Sequence, residues 1–529
     1  MAVAIVESAA RRPGLWKRRL PPGPLLAAAV VGPLFVLTPL AYTVVQAAQV
    51  GWVGAIELLL RPIVGELLMN TVGLVLAASV AAAIVGTTVA WLVERTDLPG
   101  GHIWAVLAAV PLAVPPFVSS YAWVSLSPAL QDFCGAWLVV TSSYYPLIYL
   151  PVAAALRGLD PALEETGRSL GENPWGCFRR IVLPQLRPAL LGGMLLVALN
   201  VLTEFGAFSL LRFRTFTTEL YAEYRTGFNG PGASLLAVVL LLLCLICLIA
   251  EVKVSSAAQY ARFGRGARRR APRYALGWYR WPVLAVCASL VAVTLGVPLG
   301  MITYWLTQHG AAAISPAEVS ISLLLDATIS SLWLAAAGAA FTVALALPLG
   351  FVAVRYQGWL ITFIERAAYL AQGVPGIVVA LALISLTIRS LYPLYQTALL
   401  LIVAYAIVFL PLALVSVRAA LSQCQRGLEE AGRSLGLGWA AIAWRVLLPL
   451  AGPGLGAAAA LVFASIVTEL TATLLLAPIG TQTLATQVWA DTSTLAFAAA
   501  APYAALMMVL SFLSTWLLAR RFAAVRSLQ

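Results

Sequence analysis

The sequence predicts an all-α polytopic membrane protein with about twelve transmembrane helices in two related six-helix halves. Three observations predict this class. Hydrophobic residues make up 61% of the 529 residues and charged residues only 10%, a composition outside the range of soluble globular domains. The charges are separated by long uncharged runs, and one group of motifs occurs twice. Ten of these runs exceed the roughly 20 apolar residues that cross the hydrocarbon core of a bilayer.

Two further apolar runs each end at a glutamate, and we interpret them as spans that carry one buried acid, Glu204 and Glu469. Helices are favoured because hydrocarbon offers no partner to free backbone groups. The first span follows five basic residues, as in a signal peptide, but its length favours an uncleaved helix. The predicted spans are 25–47, 67–93, 103–126, 134–156, 188–211, 231–250, 281–305, 327–354, 367–388, 395–417, 453–476 and 495–518.

Positive charge is distributed unevenly between the two sides of these spans. With a cytoplasmic N-terminus, 28 of the 33 Lys and Arg residues lie inside, which follows the positive-inside rule. For the basic stretch 262–273, a topology determinant near anionic lipid is favoured over a nucleic-acid site. The predicted organisation is a cytoplasmic segment 1–24, a first permease domain 25–250, a basic cytoplasmic linker 251–280, a second permease domain 281–518 and a cytoplasmic tail 519–529.

The sequence LEETGRSLG at positions 163–171 recurs as LEEAGRSLG at positions 428–436, which is an offset of 265 in the numbering. The segment 200–204 matches 465–469 at the same offset, and Val114-Pro115 matches Val374-Pro375 at an offset of 260. These matches indicate a tandem duplication of six spans. An even number of spans places both copies of the nonapeptide on one side, the cytoplasmic one, and relates the halves as parallel repeats.

Each copy of the nonapeptide predicts a short helix, a glycine turn and a second amphipathic helix. Glu164 and Arg168, like Glu429 and Arg433, have the i, i+4 spacing of a helical ion pair, and Gly171 and Gly436 suit a helix stop. Pro184 and Pro449 are expected to end the second helix. A solvated hairpin that only joins two spans is the alternative. Two copies at equivalent positions favour a docking surface for a duplicated partner such as a homodimer.

The segment Glu165-Thr166-Gly167, three residues, Gly171, nine residues, Ile181, one residue, Leu183-Pro184 resembles the EAA loop of binding-protein-dependent ABC importer permeases. The second copy has the same spacing from Glu430 to Pro449, with Gly432 and Val446 as small or aliphatic departures. In that family the loop contacts the ATP-binding subunit. The resemblance implies a coupling role for Glu164, Glu165, Gly167, Arg168, Gly171, Ile181, Pro184, Glu429, Glu430, Gly432, Arg433, Gly436, Val446 and Pro449.

The fused two-by-six plan, with TFTTELY at 215–221 and TELTATLLLAP at 468–478, looks most like the ferric-iron-type permeases. Thiamine and 2-aminoethylphosphonate permeases share this plan. The resemblance implies an extracytoplasmic solute-binding protein, a homodimeric cytoplasmic ATP-binding subunit, and a bacterial inner membrane location with both termini cytoplasmic. Neither of the two lysines, Lys17 and Lys253, fits a Walker A motif, so ATP and Mg²⁺ are expected on the partner and no enzyme activity or cofactor on this chain.

Glu204 and Glu469 are candidates for the translocation pathway, where two carboxylates would attract a cation. The alternative is that each caps a helix end or accepts an interhelical hydrogen bond. No stable metal site is predicted. Arg212, Arg214 and Arg225 lie in an outer loop against the positive-inside trend, which favours docking of an acidic partner such as the binding protein. An ion-coupled secondary transporter or a channel remains as a further alternative to the importer.

Overall fold

The structure is a computed structural model that describes residues 21–260, 273–308 and 320–526. Nearly all of its regular structure is helical, as predicted, and a single β-bridge in these ranges joins Thr96 to Tyr274. The basic residues of the predicted N-terminal segment and residues 261–272 of the predicted basic linker lie outside the described residues. We refer to residues 21–260 as the first half and to residues 273–526 as the second half.

The first half begins with a long helix and ends with one that continues past residue 250. A 3₁₀ turn, Val110–Ala113, precedes α5, and a π-helical turn, Phe178–Val182, joins α9 to α10. In chain order the helices are α1 (Gly23–Ala48), α2 (Gly51–Leu59), α3 (Pro62–Arg95), α4 (Gly101–Leu107), α5 (Pro116–Leu126), α6 (Phe133–Tyr144), α7 (Pro146–Arg157), α8 (Pro161–Ser169), α9 (Pro174–Cys177), α10 (Leu183–Thr203), α11 (Gly206–Leu210), α12 (Phe216–Arg225) and α13 (Gly230–Tyr260).

The second half repeats this order. A π-helical turn, Ala292–Gly296, joins α14 to α15, a 3₁₀ turn, Leu370–Gly373, precedes α18, and a second π-helical turn, Ala443–Leu447, joins α21 to α22. Its helices are α14 (Arg280–Val291), α15 (Val297–Thr307), α16 (Ile321–Arg355), α17 (Trp359–Tyr369), α18 (Gly376–Ser390), α19 (Ala398–Gln423), α20 (Arg426–Ser434), α21 (Trp439–Ile442), α22 (Leu448–Val467), α23 (Thr471–Leu476), α24 (Leu484–Ser493) and α25 (Phe497–Arg526).

Ten of the twelve predicted spans coincide over most of their length with one continuous helical segment of the described residues, and two are bent at an internal break. The predicted spans 103–126 and 367–388 bend by 91° between α4 and α5 and by 106° between α17 and α18. Each bend lies at a Val-Pro pair, Val114-Pro115 or Val374-Pro375. Proline forces the residue before it into an extended conformation, and both valines are extended, with ψ of 114° and 115°. The prediction of straight spans here is therefore wrong.

Both broken pairs still cross the bundle. Arg157 at the end of α7 contacts Glu94 near the end of α3 at 3.2 Å, so these two helix ends share one face. Because α6 and α7 form one continuous span, α6 begins at the opposite face. Helices α4 and α5 connect the end of α3 to the start of α6, so together they cross from one face of the bundle to the other. In the second half Arg355 at the end of α16 donates to the Cys424 carbonyl oxygen just after α19, so α17 and α18 cross in the same way and each half makes six crossings.

The loops at α8 and α20 lie on the same face of the bundle. Near its start, α3 contacts α12 through Thr71 and Phe216. In the same way, α16 contacts α24 through Ser331 and Leu484. Helices α12 and α24 in turn contact each other through Tyr221 and Trp489. The far ends of α3 and α16 therefore share the other face, where they contact α8 and α20. We call this side the loop face and the other the opposite face.

A stripe of small residues lets α3 and α16 pack closely against their neighbours. Small side chains recur every fourth residue, and all of them are buried. A Cβ atom added at Gly86 would lie 3.0 Å from the backbone of Tyr145 and Tyr149. In a bilayer the hydrophobic effect does not favour contact between helices, because lipid tails are as apolar as the side chains. Close backbone approach of this kind favours helix association instead. The stripe is Ala78, Ala82, Gly86 and Ala90 in α3, and Gly338, Thr342, Ala346 and Gly350 in α16.

The first span of each half, α1 in the first and α14 with α15 in the second, packs against the other half. Helix α1 packs against α16, α17 and α18, and helix α15 packs against α5. The last helices do the same: Ser511 of α25 donates a hydrogen bond to the Ala113 carbonyl oxygen at 2.6 Å, next to the bend in the first half. The two halves are therefore interlocked and not merely adjacent.

Candidate functional site

Each loop on the loop face begins with a short helix that ends at a glycine. The Asp160 carboxylate accepts a hydrogen bond from the Ala162 N–H at 3.0 Å and caps α8. After α8 and α20, Gly171 and Gly436 have φ of +88° and +80°, a left-handed conformation that glycine adopts without steric cost. The predicted helix, glycine turn and second helix are confirmed in both loops.

The glycines at 167 and 432 let the short helix lie directly on the helix that follows it. A Cβ atom at Gly167 would lie 2.4 Å from Ile181 Cδ1, and one at Gly432 would lie 3.3 Å from Ile442 Cγ1. Ile181 is the aliphatic residue of the repeated pattern, whereas Ile442 lies one turn before its counterpart Val446. A Cβ atom at Gly167 would also lie 3.2 Å from the sulfur of Cys177, the counterpart of Ile442. Both loops therefore pack on the same turn, and the first loop adds the contact with Ile181.

The second loop helices do not end at Pro184 and Pro449, contrary to the prediction. Residues 175–203 and 443–467 are continuous spans, because each proline lies in the first turn of an α-helix, where no N–H donor is required. A π-helical turn comes immediately before each of these helices, at Phe178–Val182 and Ala443–Leu447. The loop is therefore joined to the membrane span without a flexible break.

A buried ion pair joins each short helix to the end of a long span. In the first half Arg95 Nη2 lies 2.7 Å from Glu164 Oε1, and both side chains are nearly inaccessible, at 2% and 5%. In the second half Arg355 Nη2 lies 2.5 Å from Glu429 Oε1, and it also donates to the Cys424 carbonyl oxygen at 3.0 Å. Glu164 and Glu429 are thus each held by a tertiary ion pair with the end of a long span, a contact that the sequence did not predict.

Sequence reasoning missed both arginines although a signal was present. Arg95 and Arg355 are related by the same offset of 260 as the upstream repeat, and each is the last residue of its helix. An i, i+4 pair on an exposed helix is worth only about 0.3–0.5 kcal/mol. A buried carboxylate needs a partner at its own depth, and breaking such a pair costs about 3–5 kcal/mol.

Tyr274, near the end of the predicted linker, reinforces the first loop. Its N–H donates to the Arg95 carbonyl oxygen at 2.7 Å, and its hydroxyl donates to Glu164 Oε2 at 3.3 Å. The guanidinium of Arg168 lies 4.7 Å from the centre of the Tyr274 ring, and a hydrogen bond between these side chains raises the pKa of Arg168. The end of the linker is thus part of the first loop's environment.

Both loops expose apolar and charged side chains next to each other. Leu170 and Leu435 are 80% and 82% exposed, and Glu165 and Glu430 are exposed beside them. Leu163 and Leu428 are also exposed. Equivalent exposed patches of this kind, rimmed by charge, are typical of protein interaction sites.

The second candidate site lies where α10 and α22 end. The predicted spans 188–211 and 453–476 stop at Thr203 and Val467, so Glu204 and Glu469 lie at breaks and not inside helices. Glu204 Oε1 accepts from the Ala207 N–H at 2.9 Å, and Glu469 Oε1 accepts from the Ala472 N–H at 2.7 Å. Each carboxylate therefore caps the short helix that follows, α11 or α23, as the alternative hypothesis expected.

The two breaks that hold these carboxylates meet between the halves. A Cβ at Gly206 would lie 2.8 Å from Leu470 Cδ2 of the other half. Both glutamates keep part of their surface accessible, although they lie deep in the protein. Capping and access to an internal space are thus compatible.

Further polar groups surround each carboxylate. The Tyr144 hydroxyl donates to Glu204 Oε2 at 2.8 Å, a contact that the sequence did not predict. On the other side, Glu469 borders a cavity of about 10 Å³, close to the volume that one water needs. Tyr405 and Thr473 line that cavity and share a hydrogen bond of 2.7 Å. The described residues hold no group of three metal-ligating side chains of the His, Cys, Asp and Glu types.

The three outer arginines lie on the opposite face and are exposed. Among the described residues, none of these three arginines forms an ion pair within 4.0 Å of a carboxylate. Arg212 has φ of +51°, and its counterpart in the second half is Gly480 with φ of +85°. An arginine in this conformation costs about 1–3 kcal/mol, so this turn holds a strained arginine where the other half has glycine.

Two interlocked six-span halves, matching loops on one face and two carboxylates between the halves define a duplicated membrane permease subunit. The chain belongs to the family described as "Binding-protein-dependent transport system inner membrane component", whose profile matches residues 86–256 and 343–524. The two matched regions are one copy of the family domain in each half. The protein is thus a non-catalytic, multi-pass inner membrane component with an internal duplication.

Relatives of known name support this assignment over nearly the whole chain. The chain is 38% identical over 481 residues, 91% of its length, to the Fe(3+)-transport system permease protein FbpB 2 of Haemophilus influenzae, of which 94% is covered. It is 31% identical over 229 residues, 39% of its length, to the sulfate transport system permease protein CysT of Escherichia coli, of which 82% is covered. The molybdenum transport system permease protein ModB of Escherichia coli is 30% identical over 158 residues, 27% of this chain and 66% of that protein.

Proposed function

We propose that this chain is the permease of an ATP-driven importer for ferric iron, with its loop face in the cytoplasm. The paired loops are the observation that carries the proposal. Two matching exposed surfaces on one face suit a homodimeric ATP-binding subunit, one loop for each copy. The excess of positive charge on that side supports this orientation, in which both termini are cytoplasmic.

The buried ion pairs supply a physical route from the ATPase to the membrane. Movement of α8 carries Glu164, and the ion pair with Arg95 transmits that movement to the end of α3. Arg355 does the same for α20 and α16. The continuous helix from α9 into α10 gives a second rigid connection. Binding of ATP and Mg²⁺ on the partner would in this way change the relative orientation of the two halves.

The charge of the central site favours a cation as the transported solute. Glu204 and Glu469 place two carboxylates between the halves, with the Tyr144 hydroxyl beside Glu204. Carboxylate and phenolic oxygens are hard donors that suit a hard cation, whereas they repel an oxyanion such as sulfate. Similarity to the Fe(3+) permease of Haemophilus influenzae favours iron among cations. Thiamine and 2-aminoethylphosphonate are the competing solutes that the fused plan leaves open.

The solute reaches the opposite face on an extracytoplasmic binding protein. The first half exposes Arg212, Arg214 and Arg225 on this face as three basic contacts for an acidic partner. The corresponding residues of the second half, Gly480, Gln482 and Ser493, carry no charge. This difference favours a binding protein that docks with one acidic lobe on the first half.

Reversing the charge on both loops tests the coupling. The double substitution Glu165→Arg and Glu430→Arg should abolish solute uptake, because both residues are exposed at the surfaces proposed to contact the ATPase. Uptake and copurification of the ATPase are measured in the same cells. Glu172→Arg changes a loop glutamate outside the repeated pattern and serves as the control. Normal uptake in the double variant would refute the assignment.

Neutralising the central carboxylates tests the solute. Glu204→Gln with Glu469→Gln keeps the shape of both helix caps but removes both charges, and we expect radiolabelled ferric iron uptake to fall about tenfold or more, a loss of at least about 1.4 kcal/mol of favourable interaction. Copurification with the ATPase should not change. Unchanged iron uptake in the double variant would contradict iron as the solute. Inhibition of uptake through the unchanged protein by thiamine or 2-aminoethylphosphonate, but not by unlabelled ferric iron, would contradict it as well.

A further inference from the structure

Helices α12 and α24 are equivalent elements of the opposite face. Each begins with a reciprocal pair of threonine hydrogen bonds, at Thr215 and Thr218 in the first half and at the equivalent Thr483 and Thr486 in the second. Each is also fixed to the long span of its own half. The Phe216 N–H donates to Thr71 Oγ1 at 3.3 Å in α3, and the Leu484 N–H donates to Ser331 Oγ at 2.9 Å in α16. Each helix therefore moves with its own half.

One side chain from each of these helices meets the other between the halves. Tyr221 and Trp489 occupy the same position, the sixth residue after the capping threonine Thr215 or Thr483. Their ring centres lie 6.2 Å apart at an interplanar angle of 72°. Equivalent residues that contact each other must lie at the axis relating the two copies. The edge-to-face geometry is the favoured one for aromatic pairs.

This contact lies directly on the outer side of the central carboxylates. Phe205, the residue after Glu204, packs on Tyr221 with ring centres 5.1 Å apart. The Trp489 indole N–H donates to Ser209 Oγ of α11 at 3.3 Å. The Thr217 hydroxyl of α12 donates to the Glu204 carbonyl oxygen at 2.6 Å. Three layers thus follow one another along the axis: the aromatic pair, Phe205 with α11, and the two glutamates.

We propose that Tyr221 and Trp489 form the outer gate of the translocation pathway. This inference rests on the proposed function, because a gate requires a solute route between the halves. Since each ring is fixed to its own long span through Thr71 or Ser331, a rotation that separates the halves on the opposite face separates the rings. In the present conformation the gate is closed over Glu204 and Glu469.

Cross-linking tests the gate in the complete transporter with its copurified ATPase. In a background without the six native cysteines, Tyr221→Cys and Trp489→Cys are combined and treated with a short, reductant-cleavable bis-methanethiosulfonate. We expect efficient cross-linking without nucleotide and about tenfold less after trapping with ATP and vanadate, because the open state then becomes the major population. Cross-linking should also abolish solute uptake, and reductant should restore it.

The matched control is Ala222→Cys with Ala490→Cys, the next residues on the same two helices. Helical geometry turns these positions about 100° away from the axis, so they should cross-link far less without nucleotide. If the ATPase copurifies and hydrolyses ATP but trapping leaves the Tyr221–Trp489 cross-link unchanged, the gate is refuted and the proposed function stands. Failure of any ATPase to copurify refutes the proposed function, and the resting-state comparison of the two cysteine pairs still tests whether the rings meet at the axis.

Discussion

The Arg95–Glu164 pair, with its counterpart Arg355–Glu429, is the residue-scale feature on which the loop geometry depends. Both pairs are buried, and each connects an otherwise exposed helix to a membrane span. A buried ion pair adds little net stability relative to an apolar pair, but removal of one partner leaves a costly unpaired charge. The pair therefore specifies where the loop helix lies more than how stable the protein is.

Replacing Arg95 by alanine should detach α8 from α3. We expect a loss of about 3–5 kcal/mol in the stability of the docked loop, the usual cost of an unpaired buried charge, seen as faster proteolysis of the loop and loss of ATPase coupling. Arg157→Ala, which breaks the more exposed pair with Glu94 on the same face, should cost at most about 1 kcal/mol. Equal protease sensitivity of the two variants would contradict the role of Arg95.

At the scale of elements, small residues and breaks decide how the helices fit. The stripe on α3 and α16 brings helix backbones into contact, and the Val-Pro pairs bend one span in each half. The breaks at Glu204 and Glu469 are stabilised differently, because each carboxylate accepts a hydrogen bond from a free N–H group of the next helix. Broken helices are tolerated at this depth because they are buried in protein or line a polar space.

Gly86→Val tests the close packing of α3. The added side chain would collide with the backbone of Tyr145 and Tyr149, and overpacking of this kind costs about 1–3 kcal/mol. The melting temperature of the purified protein in detergent should fall. Gly73→Val is the control on the same helix, because nothing lies within 4 Å of its added Cβ. A similar melting temperature for both variants would show that α3 does not need the small residue at 86.

For the whole molecule, interlocking of the halves is the main feature. Helix α1 packs on the second half, α15 packs on the first, and Tyr274 pairs with the end of α3. Each half therefore completes the other, and the covalent linker is not the main connection. The aromatic contact between Tyr221 and Trp489 on the opposite face follows from the same arrangement.

A chain divided between residues 266 and 267 should still assemble. We expect coexpressed fragments 1–266 and 267–529 to copurify, because the packing of α1 and α15 across the halves is retained. A first fragment that begins at residue 50, and so lacks α1, should recover much less of the second fragment. Failure of the complete fragments to copurify would show that the linker, and not the packing, holds the halves together.

The sequence by itself determined the membrane class, the duplication, the sidedness of charge and the two loops. Each of these follows from local composition, from repeats at fixed offsets such as 265 and 260, or from a glycine at a position where the chain must turn. Gly171 and Gly436 were predictable as helix stops for that reason. Two equivalent copies of a charged segment in an apolar chain also predict a docking surface, which stays a prediction.

Only the tertiary structure decided which groups meet. The partner of Glu164 is Arg95 and not Arg168, because burial makes a long-range pair necessary while a local exposed pair contributes little. The hydropathy pattern predicted that two helices continue past Glu204 and Glu469, whereas both helices end there. Hydropathy alone does not reveal that a carboxylate caps the next helix. The meeting of Tyr221 with Trp489 depends on the packing of two halves against each other, which no local sequence pattern encodes.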